Sequence, residues 1–370
     1  MNTVIKRSLS VLAAACLVFQ AEAGNPDRAG QAGATELLIH SYGRLSGWNG
    51  VNTAGVRGLE SSQLNIAGLA YTPKTEVIFS RTNWLVPTGI NINSFGIAQR
   101  VGESGALSLS INNFSFGEIE RTTVENPDGG IGTFSPQFIN LGLGYAKQFS
   151  NSISGGLQVK VVNQAIEDVT ASGFALDAGV QYQTSTKPGR KSIKQNDIKF
   201  GISVRNVGPD MKFSGDGLSI KARINGNNNY DNTVENRVAT FNLPSQVNIG
   251  ASYDFRLDSD SNTYFHKLTA AANFVSNSFS KNQFVLGTQY SYKNFLHFRV
   301  GYAYEDGIFQ ELGPEGRTTA LTGFAGGFSI DIPLSKKNDN KFGFDYAYRS
   351  TNPFNGIHTF GVRLLLADKD

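Results

Sequence analysis

The sequence predicts an all-β protein, a closed transmembrane antiparallel β-barrel of about 14 strands behind an N-terminal plug segment. Apolar and polar residues alternate with period two over about fourteen segments, most of them about 10 to 13 residues long. The three longest connections between these segments are all odd-numbered. Charged residues make up only 17% of the chain, against about 25% in a typical soluble domain, whereas 41 of the 370 residues are glycine and 11% are aromatic.

The first residues read as an export signal. Lys6 and Arg7 are followed by a mostly apolar run from Leu9 to Phe19 and by the small-x-small site Ala21-Glu22-Ala23. Residues 1–23 are therefore expected to be removed as a signal peptide, with Gly24 as the new N-terminus. Cys16, the one cysteine, falls inside this peptide. A second reading takes Leu12-Ala13-Ala14-Ala15-Cys16 as a lipoprotein box, although the apolar run continues past the cysteine. Either reading places the chain in the cell envelope.

Residues 75–370 carry the alternation, from a segment at 75–85 to one at 357–366. In one segment Ile198, Phe200, Ile202 and Val204 share a face opposite Lys199, Gly201, Ser203 and Arg205. In another, Leu296, Phe298, Val300, Tyr302 and Tyr304 oppose His297, Arg299, Gly301 and Glu305. Ordinary globular strands peak near 5–6 residues, and a tilted strand crossing a bilayer needs about 9–11. An open sheet edge in lipid leaves backbone groups unpaired, so a spanning sheet must close. A secreted sandwich or propeller would also alternate, but with shorter strands and charges on its outward face. Here the apolar face is rich in Phe and Tyr, and charge and glycine fall opposite it.

The connections supply an independent test. Counted from the first segment, the third (117–137), seventh (208–244) and eleventh (306–320) are the longest, so all three open at one end of a meander. Most even-numbered connections are short; the exception, 185–196, is basic with Lys187, Arg190, Lys191 and Lys194. Outer-membrane barrels have short periplasmic turns and long external loops. Parity thus predicts an integral barrel of the cell outer membrane with both termini periplasmic.

Residues 24–74 do not alternate and are rich in glycine and alanine. Their apolar residues, among them Leu37, Trp48, Leu64 and Leu69, argue for packing inside the barrel over a disordered leader. Arg44-Leu45-Ser46-Gly47-Trp48-Asn49-Gly50, then Leu64-Asn65-Ile66-Ala67-Gly68-Leu69, resembles the N-terminal signature of FadL-like barrels. Arg44, Gly47, Gly50, Asn65, Ala67, Gly68 and Leu69 are the matching positions, and Ile66 stands where that family has proline. The preceding Ala29-Gly30-Gln31-Ala32-Gly33 and Thr35-Glu36-Leu37-Leu38-Ile39 look like the leader of the PorV/PorQ branch of type IX secretion proteins. The resemblance implies a plugged barrel that handles secreted cargo with C-terminal signal domains, together with other secretion components. A FadL-type channel for hydrophobic small molecules is the alternative that it implies.

No catalytic, cofactor or metal site is expected. The formal charge of +3, without a basic block, gives no footprint for nucleic acid. His40, His266, His297 and His358 form no metal-ligand spacing. His297 should face the lumen beside Arg299, where a hydrolase arrangement competes with a plain polar wall. Phe134, Phe138, Met211, Phe213 and Tyr230, in or beside the long loops, are candidate contacts for a partner protein; the competing reading is loop self-packing. The last strand ends in Leu364-Leu365-Leu366 and is followed by Ala367-Asp368-Lys369-Asp370, without a terminal aromatic. Mass spectrometry of the protein purified from outer membranes is expected to find a free Gly24 N-terminus; a lipidated Cys16 would reverse the assignment.

Overall fold

A computed structural model describes residues 26–185, 196–223, 231–258, 265–313, 316–334 and 339–367. The signal peptide with Cys16, most of the basic connection 185–196, and Tyr230 lie outside the described residues. The expected strands form. They are β1 (Thr75–Trp84), β2 (Ile90–Val101), β3 (Gly105–Ser115), β4 (Gln137–Gln148) and β5 (Ile153–Ile166). Next come β6 (Val169–Thr184), β7 (Ile198–Val207), β8 (Gln246–Arg256), β9 (His266–Asn277) and β10 (Gln283–Tyr292). The wall ends with β11 (Leu296–Glu305), β12 (Gly323–Pro333), β13 (Lys341–Arg349) and β14 (Ile357–Leu366). Each strand pairs antiparallel with its neighbours in the chain. The seam between β1 and β14, from Thr75 opposite Leu366 to Asn83 opposite His358, closes the barrel.

The alternation is turned inside out relative to a soluble sheet. On β7, Phe200, Ile202 and Val204 point outward, while Gly201, Ser203 and Arg205 are buried. On β11, Phe298, Val300, Tyr302 and Tyr304 point outward, opposite Arg299, Gly301, Ala303 and Glu305. Lipid accounts for the inversion, because a Lys or Arg facing mid-bilayer costs about 2–4 kcal/mol. The outward rings also meet across strands, as Phe274 and Phe284 do with centroids 5.0 Å apart.

β6 begins at Val169, before the clear alternation of apolar and polar residues over 173–184. A two-residue turn at Glu167–Asp168 lets Val169 pair with Ile166, so the β5–β6 hairpin stands proud of the wall. β7 last pairs at Val207 opposite Leu176. The exposed edge beyond that point is covered by Phe213–Ser214, which pairs with Ala171 and Thr170. Capping a bare edge in this way removes unpaired backbone groups.

The segment before β1 lies in the lumen as a string of short turns: Thr35–Leu38, Gly43–Ser46, Gly58–Gln63 and Ile66–Tyr71. It runs lengthwise from the end of the long connections (the loop end) to the end of the short ones (the turn end). At the loop end the Gly33 amide donates to the Asn242 carbonyl at 3.1 Å, and Arg28 donates to the Asn242 side chain at 2.7 Å. At the turn end Thr75 opens β1. The start of β1 and the end of β14 do share one end. The first described residues lie at the other end; the termini themselves, expected to be both periplasmic, fall outside the described residues. A count of strands carries no information about a segment that traverses the lumen first.

Small wall residues accept this segment. Tyr42, Leu59, Ile66 and Leu69 pack on Ala98, Ala106 and Ala146, and Trp48 and Val51 pack on Ala271, Val285 and Ala303. At Gly301 a Cβ would lie 2.5 Å from the Trp48 carbonyl, and at Gly201 one would lie 2.4 Å from the Thr53 oxygen. Gly301→Val is expected to lower stability by about 1–3 kcal/mol through overpacking. Gly326→Ala, on the lipid side, should be tolerated; urea unfolding in lipid vesicles measures both.

Candidate functional site

The lumen is organised around Arg44, which sits on the single helical turn Gly43–Ser46. Its Nε lies 2.9 Å from Glu60 and its Nη2 lies 3.2 Å from Glu76 of β1. Glu76 also accepts the Leu59 amide at 2.7 Å. Burial works against the charge of Arg44, but Glu60 and Glu76 hold the guanidinium protonated above its ordinary value. The partly facing wall adds Arg363, which lies 2.7 Å from Asp331 and 3.6 Å from Asp345. One ionic network thus fastens the plug to the seam of the barrel.

The other motif residues shape the plug itself. Gly47 lies against Gly327 of β12, where a Cβ on Gly47 would come within 3.1 Å of the opposing Cα. Gly50 takes a positive φ of 65° and leaves room for the His40 ring. That ring is driven well below its usual pKa by burial and by Arg205 and Arg349, so it stays neutral. Asn65 caps the turn Ile66–Tyr71 by accepting from the Ala67 amide, and its amide donates to the Thr53 and Val180 carbonyls at 3.0 and 3.1 Å. Gly68 packs against the Val56 carbonyl, and Leu69 is wholly buried. Asn65 therefore ties two parts of the plug to β6, without a proline at the next position.

Two chambers flank the plug. At the loop end a cavity of about 430 Å³ is lined by Trp84, Leu85, Phe114, Phe116, Phe138 and Phe279 among others. At the turn end a second one, of about 320 Å³, is lined mainly by charged and polar side chains. The loop candidates divide between different settings. Phe138 opens β4, stacks edge-on with Phe116 at 4.8 Å and lines the first chamber. Phe134 lies in a small hairpin, paired with Ile119. Met211 is buried with Ala34, Leu37 and Leu243, and Phe213 packs on Phe241 at 5.5 Å. These last two hold the long connection down onto the plug and offer little surface to a partner.

Phe114 of the chamber, and Ile92 paired with it across β2 and β3, are the residues that strand counting missed. Both occupy lumen-facing positions, buried at 4% and 0% exposure, where the pattern calls for polar residues. An apolar residue out of phase near the loop end of a strand was the available signal. His297 faces the lumen as expected, with Ser291 Oγ 2.9 Å from its Nδ1 and Asp331 3.5 Å from its Nε2.

A closed fourteen-stranded wall with this lumenal plug defines a FadL-like outer-membrane barrel. The profile described as type IX secretion system membrane protein PorP/SprF matches residues 128–348, well over half of the chain. The chain belongs to that family. The leader had suggested the PorV/PorQ branch of the same secretion system; the family found is PorP/SprF. Among solved structures, the Pseudomonas putida toluene transporter TodX shares 12% identity over 88% of this chain and 97% of its own, with a TM-score of 0.52. The Ralstonia pickettii toluene transporter TbuX shares 14% over 88% and 97%, with a TM-score of 0.48. A Pseudomonas aeruginosa FadL homologue shares 10% over 88% and 95%, with a TM-score of 0.49. At such identities the likeness to TodX shows the fold alone. No curated protein matches the chain significantly.

Replacing Arg44 strands two buried carboxylates beside the seam. Arg44→Leu is expected to cost about 3–5 kcal/mol, the range for breaking a buried pair from one side. Arg44→Lys should recover part of that loss, as read by urea unfolding in vesicles.

Proposed function

We propose that this component of type IX secretion acts as a closed docking barrel, engaging partner or cargo proteins through the connections at its loop end. The observation that carries this is the pair of apolar side chains left bare there. Val124 in the third connection and Phe309 in the eleventh are 101% and 92% exposed. Binding residues concentrate on loops held by a rigid scaffold, and both side chains sit on the long connections. The plug supports docking over conduction, since its backbone fills the middle of the lumen against β11 and β12. In this reading the loop end faces outward and the end of β14 faces the periplasm. A PorV/PorQ-like place in cargo handling at the cell surface is the finer role that the leader suggests.

In this reading the role is non-enzymatic. Ser291, beside His297, is only 1% exposed, and Asp331 is already engaged by Arg363. This arrangement serves as hydrogen-bonded wall, with no accessible nucleophile. The apolar chamber favours one further reading, uptake of a hydrophobic small molecule, and lies within the usual size range of ligand pockets. Protein purified with a bound lipid that exchanges with added lipid would support it.

Val124→Asp with Phe309→Asp is expected to abolish co-purification of secretion partners and to deplete surface proteins bearing C-terminal signals. The barrel should keep its heat-modifiable mobility in gels. Unchanged partners and surface proteins in the folded double variant would sink the docking role.

A further inference from the structure

The chamber at the turn end has a charge imbalance that neither the docking role nor the fold requires. Six cations line it, Arg44, Arg57, Lys199, Lys267, Arg299 and Lys341, against three carboxylates, Glu60, Asp254 and Asp331. The carboxylates are already occupied. Glu60 is held by Arg44, Asp254 lies 2.7 Å from Lys199, and Asp331 lies 2.7 Å from Arg363. Arg57, Arg299 and Lys341 form no ion pair within the described residues.

Neutral groups hold two of these cations in place, and Lys341 opens β13 at the edge of the chamber. Arg57 lies 3.3 Å over the Tyr71 ring and donates to Gln183. Arg299 donates from Nε to Gln289 at 2.7 Å and from Nη1 to Ser329 at 2.6 Å. Neutral partners fix direction without cancelling charge. Burial pushes the Arg57 guanidinium below its ordinary pKa. A guanidinium drawn away from water with only neutral groups as direct partners is costly, so a chamber holding two of them gains when an anion enters. The volume, about 320 Å³, admits a compact multivalent anion, and all the wall residues concerned lie near the short turns.

We propose that this chamber is a binding site for a small multivalent anion carrying phosphate or carboxylate groups, which enters from the turn end. Arg57, Arg299 and Lys341 are its principal ligands, and Arg44 and Lys199 contribute field while remaining in their own ion pairs. The site is separated from the apolar chamber by the plug, so it does not depend on the docking reading. Planar guanidinium groups suit both oxyanion types, and the excess of three positive charges favours di- and trivalent over monovalent ions.

Isothermal titration of the detergent-purified barrel with pyrophosphate and with citrate tests this directly. Saturable binding of either probe near one per barrel, weakened by added salt, is expected. The variants Arg57→Gln and Lys341→Gln should each weaken it about tenfold, the scale of one hydrogen bond to a charged group. Lys147→Gln removes the same charge from an exposed site outside the chamber and should leave affinity unchanged. Heat-modifiable mobility establishes that each variant is folded, and Lys341→Gln, at a strand end, carries the test if Arg57→Gln does not fold. Absence of saturable binding by both probes overturns the proposal, as does a loss in Lys147→Gln equal to that in the chamber variants.

Discussion

Backbone pairing in lipid is the constraint on which the structure depends. Each unpaired N–H or C=O in hydrocarbon costs several kcal/mol, so the sheet cannot stop at an edge. The seam between β1 and β14 is its consequence, and beyond the wall Phe213–Ser214 meets the same demand for pairing on the free edge of β6. Closure then dictates the side chains. The outer face must be apolar, which turns Phe200, Ile202 and Leu286 toward solvent-free surroundings, and polar residues are displaced inward. A fourteen-stranded wall encloses more space than its own side chains fill, and the plug occupies the remainder.

The lumen resolves two demands that pull against each other. Plug backbone must approach the wall closely, which the glycines and alanines on β2–β4 and β9–β12 allow. Plug polar groups must also find partners away from water. Asn65, Gln181 and Asn273 donate to plug carbonyls or hydroxyls, while the Arg44 network crosses from plug to seam. The small residues set position and the polar residues set register, so the plug divides the lumen into two spaces of different chemistry. One is aromatic and opens among the long connections. The other is cationic and opens among the short turns.

The wall was legible in the sequence because strand alternation is a local property with one repeat. Ile198 to Val207 declares both faces within ten residues. The start of β6 was less clear, since Thr170, Ala171 and Ser172 are all small and carry no contrast between faces. The plug was legible only as a motif. Arg44 and Asn65 mark it, but their partners Glu76 and Val180 are set by tertiary geometry that no spacing encodes. Met211 and Phe213 read as loop residues because burial beneath a long connection has no periodic signature. The same holds for the lengthwise run of the plug, which places the first described residues at the loop end.

That lengthwise run also bears on the order of assembly. The plug is made first, yet its contacts reach the last strands made: Asn49 donates to the Gly323 carbonyl, 274 residues later. Its docking surface does not exist until β9 to β14 are in place, and once β1 and β14 have zipped together the lumen is accessible only from its ends. The plug must therefore be waiting inside the curling sheet when the seam shuts. The barrel is built around its contents, and any bulky group fixed near Pro26 would have to be accommodated among the long connections before the last strand pairs.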